Sequence, residues 1–218
     1  MKIAVMANGE WDPDWGRSEL AREKIDVLIC ADGGGDHAVS SGRIPDVIVG
    51  DLDSISEASL SRCQNYNTKI KKYPVEKDQT DLELAVEHAE EYLRAYGKSE
   101  DEITLYAAGG KRLDHFLGNI ALMLNWAEKD RTIKMLDKNY QAWVMLPGTK
   151  TIKGTKGQEL SLVPLSEKAR VTSQGLYYEL ANLTLLQNST RGISNVFKNN
   201  LAEVQVHEGK ILVIIMKE

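Results

Sequence analysis

Through the first half of the chain, short unbroken apolar runs alternate with stretches in which apolar residues recur every third or fourth position. The runs Lys2 to Ala7, Asp26 to Ala31, Asp46 to Val49, Lys69 to Tyr73 and Ile103 to Ala108 predict strands. Between them Ser18 to Lys24, Asp36 to Ser41 and Ser56 to Asn65 read as helices, and Glu10 to Arg17, with Trp11, Pro13 and Trp15, reads as a loop. Thr80 and Glu83 have capping-box spacing, and Leu82, Ala85, Val86, Ala89 and Leu93 then form one apolar stripe on a long helix. A further helix is expected to bury Leu113, Phe116, Leu117, Ile120, Ala121 and Leu124, leaving Arg112, Asp114 and His115 off that face. Continuous apolar strands alternating with helices indicate a parallel sheet covered on both sides.

After about Leu136 the helical period disappears. Strand-like runs follow at Gln141 to Leu146, Glu159 to Pro164, Ala169 to Thr172, Leu183 to Leu186, Glu203 to His207 and Lys210 to Met216. Turn pairs such as Pro147-Gly148, Lys156-Gly157 and Glu208-Gly209 separate several of them, the pattern of a small antiparallel sandwich. The expected fold is an α/β amino-terminal domain with a mostly parallel sheet (1–136) and an all-β carboxyl-terminal sandwich (137–218).

Composition narrows the function classes. With 218 residues, 27% charged and 42% hydrophobic, the chain is an ordinary globular one, and a net charge of −5 leaves no basic surplus for sequence-independent nucleic-acid binding. Cys30 and Cys63 form no CxxC pair, which suggests reduced thiols. No apolar run approaches the ~18 residues of a membrane span, and the amino terminus is not signal-like. The expectation is a cytoplasmic protein without membrane or nucleic-acid partners.

Four strand ends present polar residues that packing does not require: Asp32-Gly33-Gly34, Asp51 with Asp53, Asp78 with Asp81, and Arg112 with Asp114. In open α/β sheets ligands bind at this edge. Carboxylates crowded there repel unless cations and a polyphosphate sit among them, and Mg2+ takes one or two carboxylates plus phosphate oxygens. Gly33 and Gly34 allow backbone N–H groups to approach phosphate, Ser54 offers a hydroxyl, and Lys77, Lys111 and Arg112 offset phosphate charge. His115 reads as a helix-surface or interface residue rather than a general base. No GxxxxGK[ST], no GxGxxG with an acidic partner and no GxSxG occurs, which leaves metal-assisted phosphoryl or diphosphoryl transfer.

The segments ADGG at 31–34, GDLDS at 50–54, KDQTD at 77–81, GGKRLDH at 109–115, GLYYEL at 175–180 and GISN at 192–195 together resemble the thiamine pyrophosphokinase (thiamine diphosphokinase) family, in order and spacing, along nearly the whole chain. The resemblance implies transfer of diphosphate from ATP to the hydroxyl of thiamine, giving thiamine diphosphate and AMP, with Mg2+ as cofactor and ATP as co-substrate. It implies metal ligands at Asp51, Asp53, Asp78 and Asp81. ATP contacts are implied at Asp32, Gly33, Gly34, Ser54, Lys77, Gln79 and Arg112, and catalytic roles at Asp78, Asp81, Arg112 and Asp114. Either Asp81 or Asp114 is the candidate to orient or deprotonate the hydroxyl. Thiamine is implied to bind at Tyr178, Ser194 and Asn195, and the enzyme to be a homodimer with sites at the interface. Some relatives carry Asp-Gln where this chain has Glu76-Lys77, so Lys77 is a phosphate-clamp candidate here. Those relatives also carry Trp at the place of Tyr178, and tyrosine can still stack on a pyrimidine. Tyr177 and Tyr178 are expected to alternate on a strand, one packed and one facing a cleft. Two rival readings are a regulatory module that binds nucleotide or thiamine without turnover, and a metal-dependent phosphohydrolase.

Overall fold

The first apolar run forms β1 (Ile3–Met6), wholly buried, because parallel strands covered by helices have no polar face to spare. The computed structural model describes residues 1–98 and 101–217. They divide into two units, Met1–Leu122 with Met135–Lys138, and Met123–Lys134 with the chain from Asn139 onward.

In the first unit β1 is followed by α1 (Pro13–Arg22), β2 (Val27–Ala31), α2 (Gly34–Ser40), β3 (Val47–Gly50), α3 (Glu57–Asn65), β4 (Lys69–Lys72), α4 (Asp81–Tyr96) and β5 (Ile103–Tyr106). Five strands pair in parallel in the order β5-β1-β2-β3-β4, with Ile3 opposite both Val27 and Ile103, and Val47 opposite both Ile29 and Lys69. The edge strand β4 exposes Lys69, Lys71 and Lys72, charges that discourage further pairing. One sheet face, carrying Ala4, Met6, Leu28, Cys30, Ile48 and Tyr106, packs against Leu20, Ala38 and Cys63 of the three short helices. On α4 the predicted stripe is buried, and the Thr80 hydroxyl accepts the Glu83 N–H at 3.2 Å as the capping residue.

Three expectations need correction. Residues 13–17 are helical, not loop: Asp12 caps α1 through the N–H groups of Asp14 and Trp15, with Pro13 at the first helical position. The helix α5 (Leu113–Ala127) forms as predicted, but Leu113 is 72% and Leu117 57% exposed, and Ala121 is exposed too. Tyr177 and Tyr178 do not alternate. They lie in an irregular segment and are both exposed, with ring centroids 5.0 Å apart in an edge-to-face pair.

The strand β6 (Ile133–Leu136) falls across the boundary of the units. The second unit contains β7 (Tyr140–Met145), β8 (Gly148–Lys153), β9 (Glu159–Pro164), β10 (Lys168–Gln174), β11 (Leu183–Leu186), β12 (Asn195–Val196), β13 (Leu201–Glu208) and β14 (Ile211–Met216). Antiparallel ladders run β12-β9-β14-β7 and β11-β10-β13-β8. Alternate residues such as Leu160, Leu162, Val213 and Ile215 from one sheet meet Val171, Leu185, Val204 and Val206 from the other in a single core, so this is a β-sandwich. Among the described residues no helix is long and apolar enough to cross a membrane.

Candidate active site

The carboxyl ends of β1, β2, β3 and β5 share one rim because the strands are parallel. The backbone there is strained. Asp32 (φ 42°), Leu52 (φ 69°), Ala107 (φ 50°) and Lys111 (φ 42°) occupy left-handed conformations, which non-glycine residues adopt rarely and mostly at functional sites. A cavity of about 330 Å³ opens at this rim, lined among others by Asn8, Gly9, Asp32, Ser54, Asp81 and Arg112.

Asp32 is buried and holds the GDLDS loop. Its Oδ2 accepts the Ser54 N–H at 3.0 Å and its Oδ1 the Ile55 N–H at 3.1 Å. Burial pushes its pKa up, against the pull of those two N–H groups. Within the loop the Ser54 hydroxyl donates to Asp53 Oδ1 at 2.9 Å, and Asp51 Oδ1 accepts the Asp53 N–H at 3.3 Å. One oxygen from each of Asp32, Asp51 and Asp53 lies within 4.8 Å of the others. This all-carboxylate donor set suits a hard divalent ion such as Mg2+.

Lys77 joins a fourth carboxylate to the group. Its Nζ lies 3.1 Å from Asp51 Oδ2 and 3.1 Å from Asp81 Oδ1. The ammonium lowers the Asp51 pKa, whereas at Asp81 burial outweighs the same partner and the pKa is raised. Burial opposes the charge on Lys77, but Asp81 and Asp51 more than offset it and its pKa is raised. Gly50 (φ 148°) makes this gathering of carboxylates feasible: a Cβ there would stand 3.0 Å from both Asp32 Cβ and Asp81 Cγ.

Other predicted residues stand differently. Asp78 is exposed and outside the carboxylate cluster, and Gln79 donates to Glu87 on α4 at 2.7 Å. Arg112 lines the cavity but forks onto Asp114, with Nε 3.1 Å from Oδ1 and Nη2 2.5 Å from Oδ2. That pairing pulls Asp114 down to about 2. The space beside Gly33 is filled by the Asn8 amide and that beside Gly34 by the Met6 carbonyl, so their smallness first serves to pack β1 against the start of α2. Asn8, Gly9 and Asn119, which sequence reasoning did not mark as site residues, stand on the cavity wall, as do His115, read as a helix-surface residue, and Phe116, expected to be buried. Asn8-Gly9 follows its apolar run as Asp32-Gly33 follows the next one, a signal that could have marked it. Asn119 donates to the Ala108 carbonyl at 2.7 Å and His37 to the Gly9 carbonyl at 3.0 Å, both holding the wall.

In the sandwich, Asn195 is buried and its amide is spent on the backbone. Oδ1 accepts from Tyr178 N–H at 3.0 Å and Val196 N–H at 2.9 Å, and Nδ2 donates to the Tyr178 carbonyl at 2.7 Å. Ser194, exposed with φ 55°, donates its N–H to Ser161 Oγ at 3.0 Å. The structure thus brings Tyr178, Ser194 and Asn195 together, with Asn195 holding the backbone that presents the Tyr178 ring.

Residues 19–135 match the family model for the thiamin pyrophosphokinase catalytic domain, more than half of the chain. The chain belongs to the thiamine pyrophosphokinase family. Residues 149–211 match that family's vitamin B1 binding domain. The thiamine pyrophosphokinase of Bacillus subtilis (strain 168) is 32% identical over 178 residues, covering 81% of this chain and 80% of that protein. The crystal structure of thiamine pyrophosphokinase from Bacillus subtilis superposes with TM-score 0.86 at 27% identity, covering all of both chains. That of the Geobacillus thermodenitrificans thiamin pyrophosphokinase gives 0.83 at 28% identity, over all of this chain and 98% of that one. As a thiamine pyrophosphokinase the protein is a transferase that forms thiamine diphosphate.

Proposed function

We propose that the diphosphate comes from ATP, by in-line attack of the thiamine hydroxyl on the β-phosphorus with AMP leaving, and that the rim around Asp51 is where the triphosphate and Mg2+ are held. The carboxylate cluster at the carboxyl edge of a parallel sheet is the observation that carries this reading. Asp51 and Asp53, grouped with Asp32, are the residues suited to hold Mg2+; Asp81, linked to Asp51 through Lys77, would complete the set, and Asp78 would join only by a movement of its loop. Bound there, the ion neutralises charge developing on the phosphate oxygens.

The chain's own residues do the rest by position. Ser54, Lys111 and Arg112 line the cavity in which phosphates would lie. Arg112 can serve them by releasing Asp114, which makes the exposed Arg112–Asp114 fork a latch. Of the two candidates to orient the hydroxyl, Asp81 lines the cavity and Asp114 does not, which favours Asp81. Residues 1–136 are the ATP- and Mg2+-binding part in this reading, and 137–218 bind thiamine and dimerise. The Tyr178 ring stacks on thiamine, with Ser194 and Asn195 beside it. The exposed leucines of α5 support a homodimer with its sites at the interface.

The test is product analysis. ATP plus thiamine with Mg2+ should yield one AMP per thiamine diphosphate and nothing in EDTA. ADP as the nucleotide product, or ATP breakdown independent of thiamine, overturns the reading.

A further inference from the structure

We propose that Lys77 is a resident counter-cation: its ammonium bridges Asp51 and Asp81 while no metal is bound, yields those oxygens to an incoming divalent ion, and is thereby released toward phosphate. This rests on the reading of the rim as a metal and triphosphate site. The contacts are specific. The ammonium donates to Asp51 Oδ2 at 3.1 Å and to the Pro74 carbonyl at 3.1 Å, and forms an ion pair with Asp81 Oδ1 at 3.1 Å. The side chain is only 15% exposed, in contrast to most lysines.

Each carboxylate depends on that ammonium. Asp81 Oδ1 is buried and makes no hydrogen bond of good geometry, so the ion pair is what neutralises it. Asp51 has its other oxygen on the Asp53 N–H, which leaves Oδ2 as the contested atom. A divalent ion and an ammonium held by the same oxygens repel, so they exclude one another. A dedicated phosphate clamp would aim into the cavity, yet Lys77 is not part of its wall while Lys111 and Arg112 are. The flexible four-carbon stem of lysine suits an exchange of partners.

The experiment measures Mn2+ binding to the full chain without nucleotide, by water-proton relaxation, in the wild type and Lys77→Met. The substitution should tighten binding by at least ~10-fold, because a competing charge is gone. It should also lower the melting temperature in EDTA and restore it with Mn2+. Unchanged or weaker Mn2+ binding by the folded variant overturns the proposal. A second measurement uses the wild type alone, so it does not depend on the variant folding. Acetylation of Lys77, read by peptide mass spectrometry, should be slow in EDTA, several-fold faster once Mg2+ saturates the protein, and slow again with a non-hydrolysable ATP analogue. Labelling indifferent to Mg2+ overturns it. A metal-indifferent Lys77 in an enzyme that does release AMP counts against this proposal alone, whereas failure to release AMP counts against the functional reading.

Discussion

The carboxylate of Asp32 accepts the backbone N–H of Ser54 at 3.0 Å, across 22 residues of sequence. With Ile55 it thereby ties the end of β2 to the loop that carries Asp51 and Asp53. Asp32→Ala leaves two N–H groups without their acceptor, at about 2–4 kcal/mol of unfolding free energy in a urea titration. Asp32→Asn should lose about half as much, since asparagine keeps one acceptor oxygen and tolerates the left-handed backbone. Equal losses from both variants would show that the tie is not what Asp32 contributes.

Asp51 and Asp53 differ from Asp36 in what they face. Asp36 holds Ser56, the cap of α3, through its N–H at 2.9 Å and its hydroxyl at 2.5 Å. Alanine at Asp51 or Asp53 should reduce the rate of AMP release at least ~100-fold with the fold intact. Alanine at Asp36 should cost stability and only a few-fold in rate. The comparison is made by steady-state kinetics beside a melting curve for each variant.

Tyr178 and Asn195 divide presentation from support. Tyr178→Ala, at a ring 64% exposed, should leave the melting temperature nearly unchanged and raise the KM for thiamine roughly tenfold. Asn195→Ala removes three hydrogen bonds from a buried amide, so it should lower both stability, by about 2–3 kcal/mol, and thiamine affinity. If Tyr178→Phe binds thiamine as well as the wild type does, the ring face and not the hydroxyl is what matters.

Burial depresses the His37 pKa below its ordinary 6.5, with Lys111 adding to the fall and Gly9 and Asp36 opposing it. Between the folded value and 6.5 the unfolded chain binds more protons than the folded one, so stability rises with pH across that window and levels off above it. His37 therefore contributes stability at neutral pH that is lost on acidification, with a slope of at most about 1.4 kcal/mol per pH unit for one proton. Denaturation curves from pH 5 to 8 should show this limb in the wild type and a flatter one in His37→Gln.

Leu113 and Leu117 lie one helical turn apart on α5, and both face solvent in the single chain. Replacing both with Glu should convert a dimer to a monomer in analytical ultracentrifugation without loss of helix by circular dichroism. A wild type that sediments as a monomer would remove this role.

Much of this was legible in the chain because local rules and the tertiary outcome agree. The α4 stripe and its Thr80 cap are examples, as are the strand ends that carry Asp32 and Asp51 to one rim. Where reading failed, a single cue had two meanings. Asp12-Pro13 opens a helix as readily as a loop, and flanking tryptophans favoured the wrong choice. An apolar period on α5 shows that a face must be covered but not by what. Tyr177 and Tyr178 escaped alternation because β10 ends at Gln174, and the isolated bridge of Leu176 to Phe197 pins the chain into a bend. The closeness of Gly33 to Asn8 and of Gly34 to the Met6 carbonyl was not legible either, because those contacts depend on the neighbouring strand.

A missing side chain at the end of β3 decides how near two acids can stand to the backbone. With only a hydrogen on the side of Gly50 that faces Asp32 and Asp81, both side chains can come up against the end of β3. Even one methyl group would press on both at 3.0 Å, so any side chain here should displace acids that the bare backbone now lets close in.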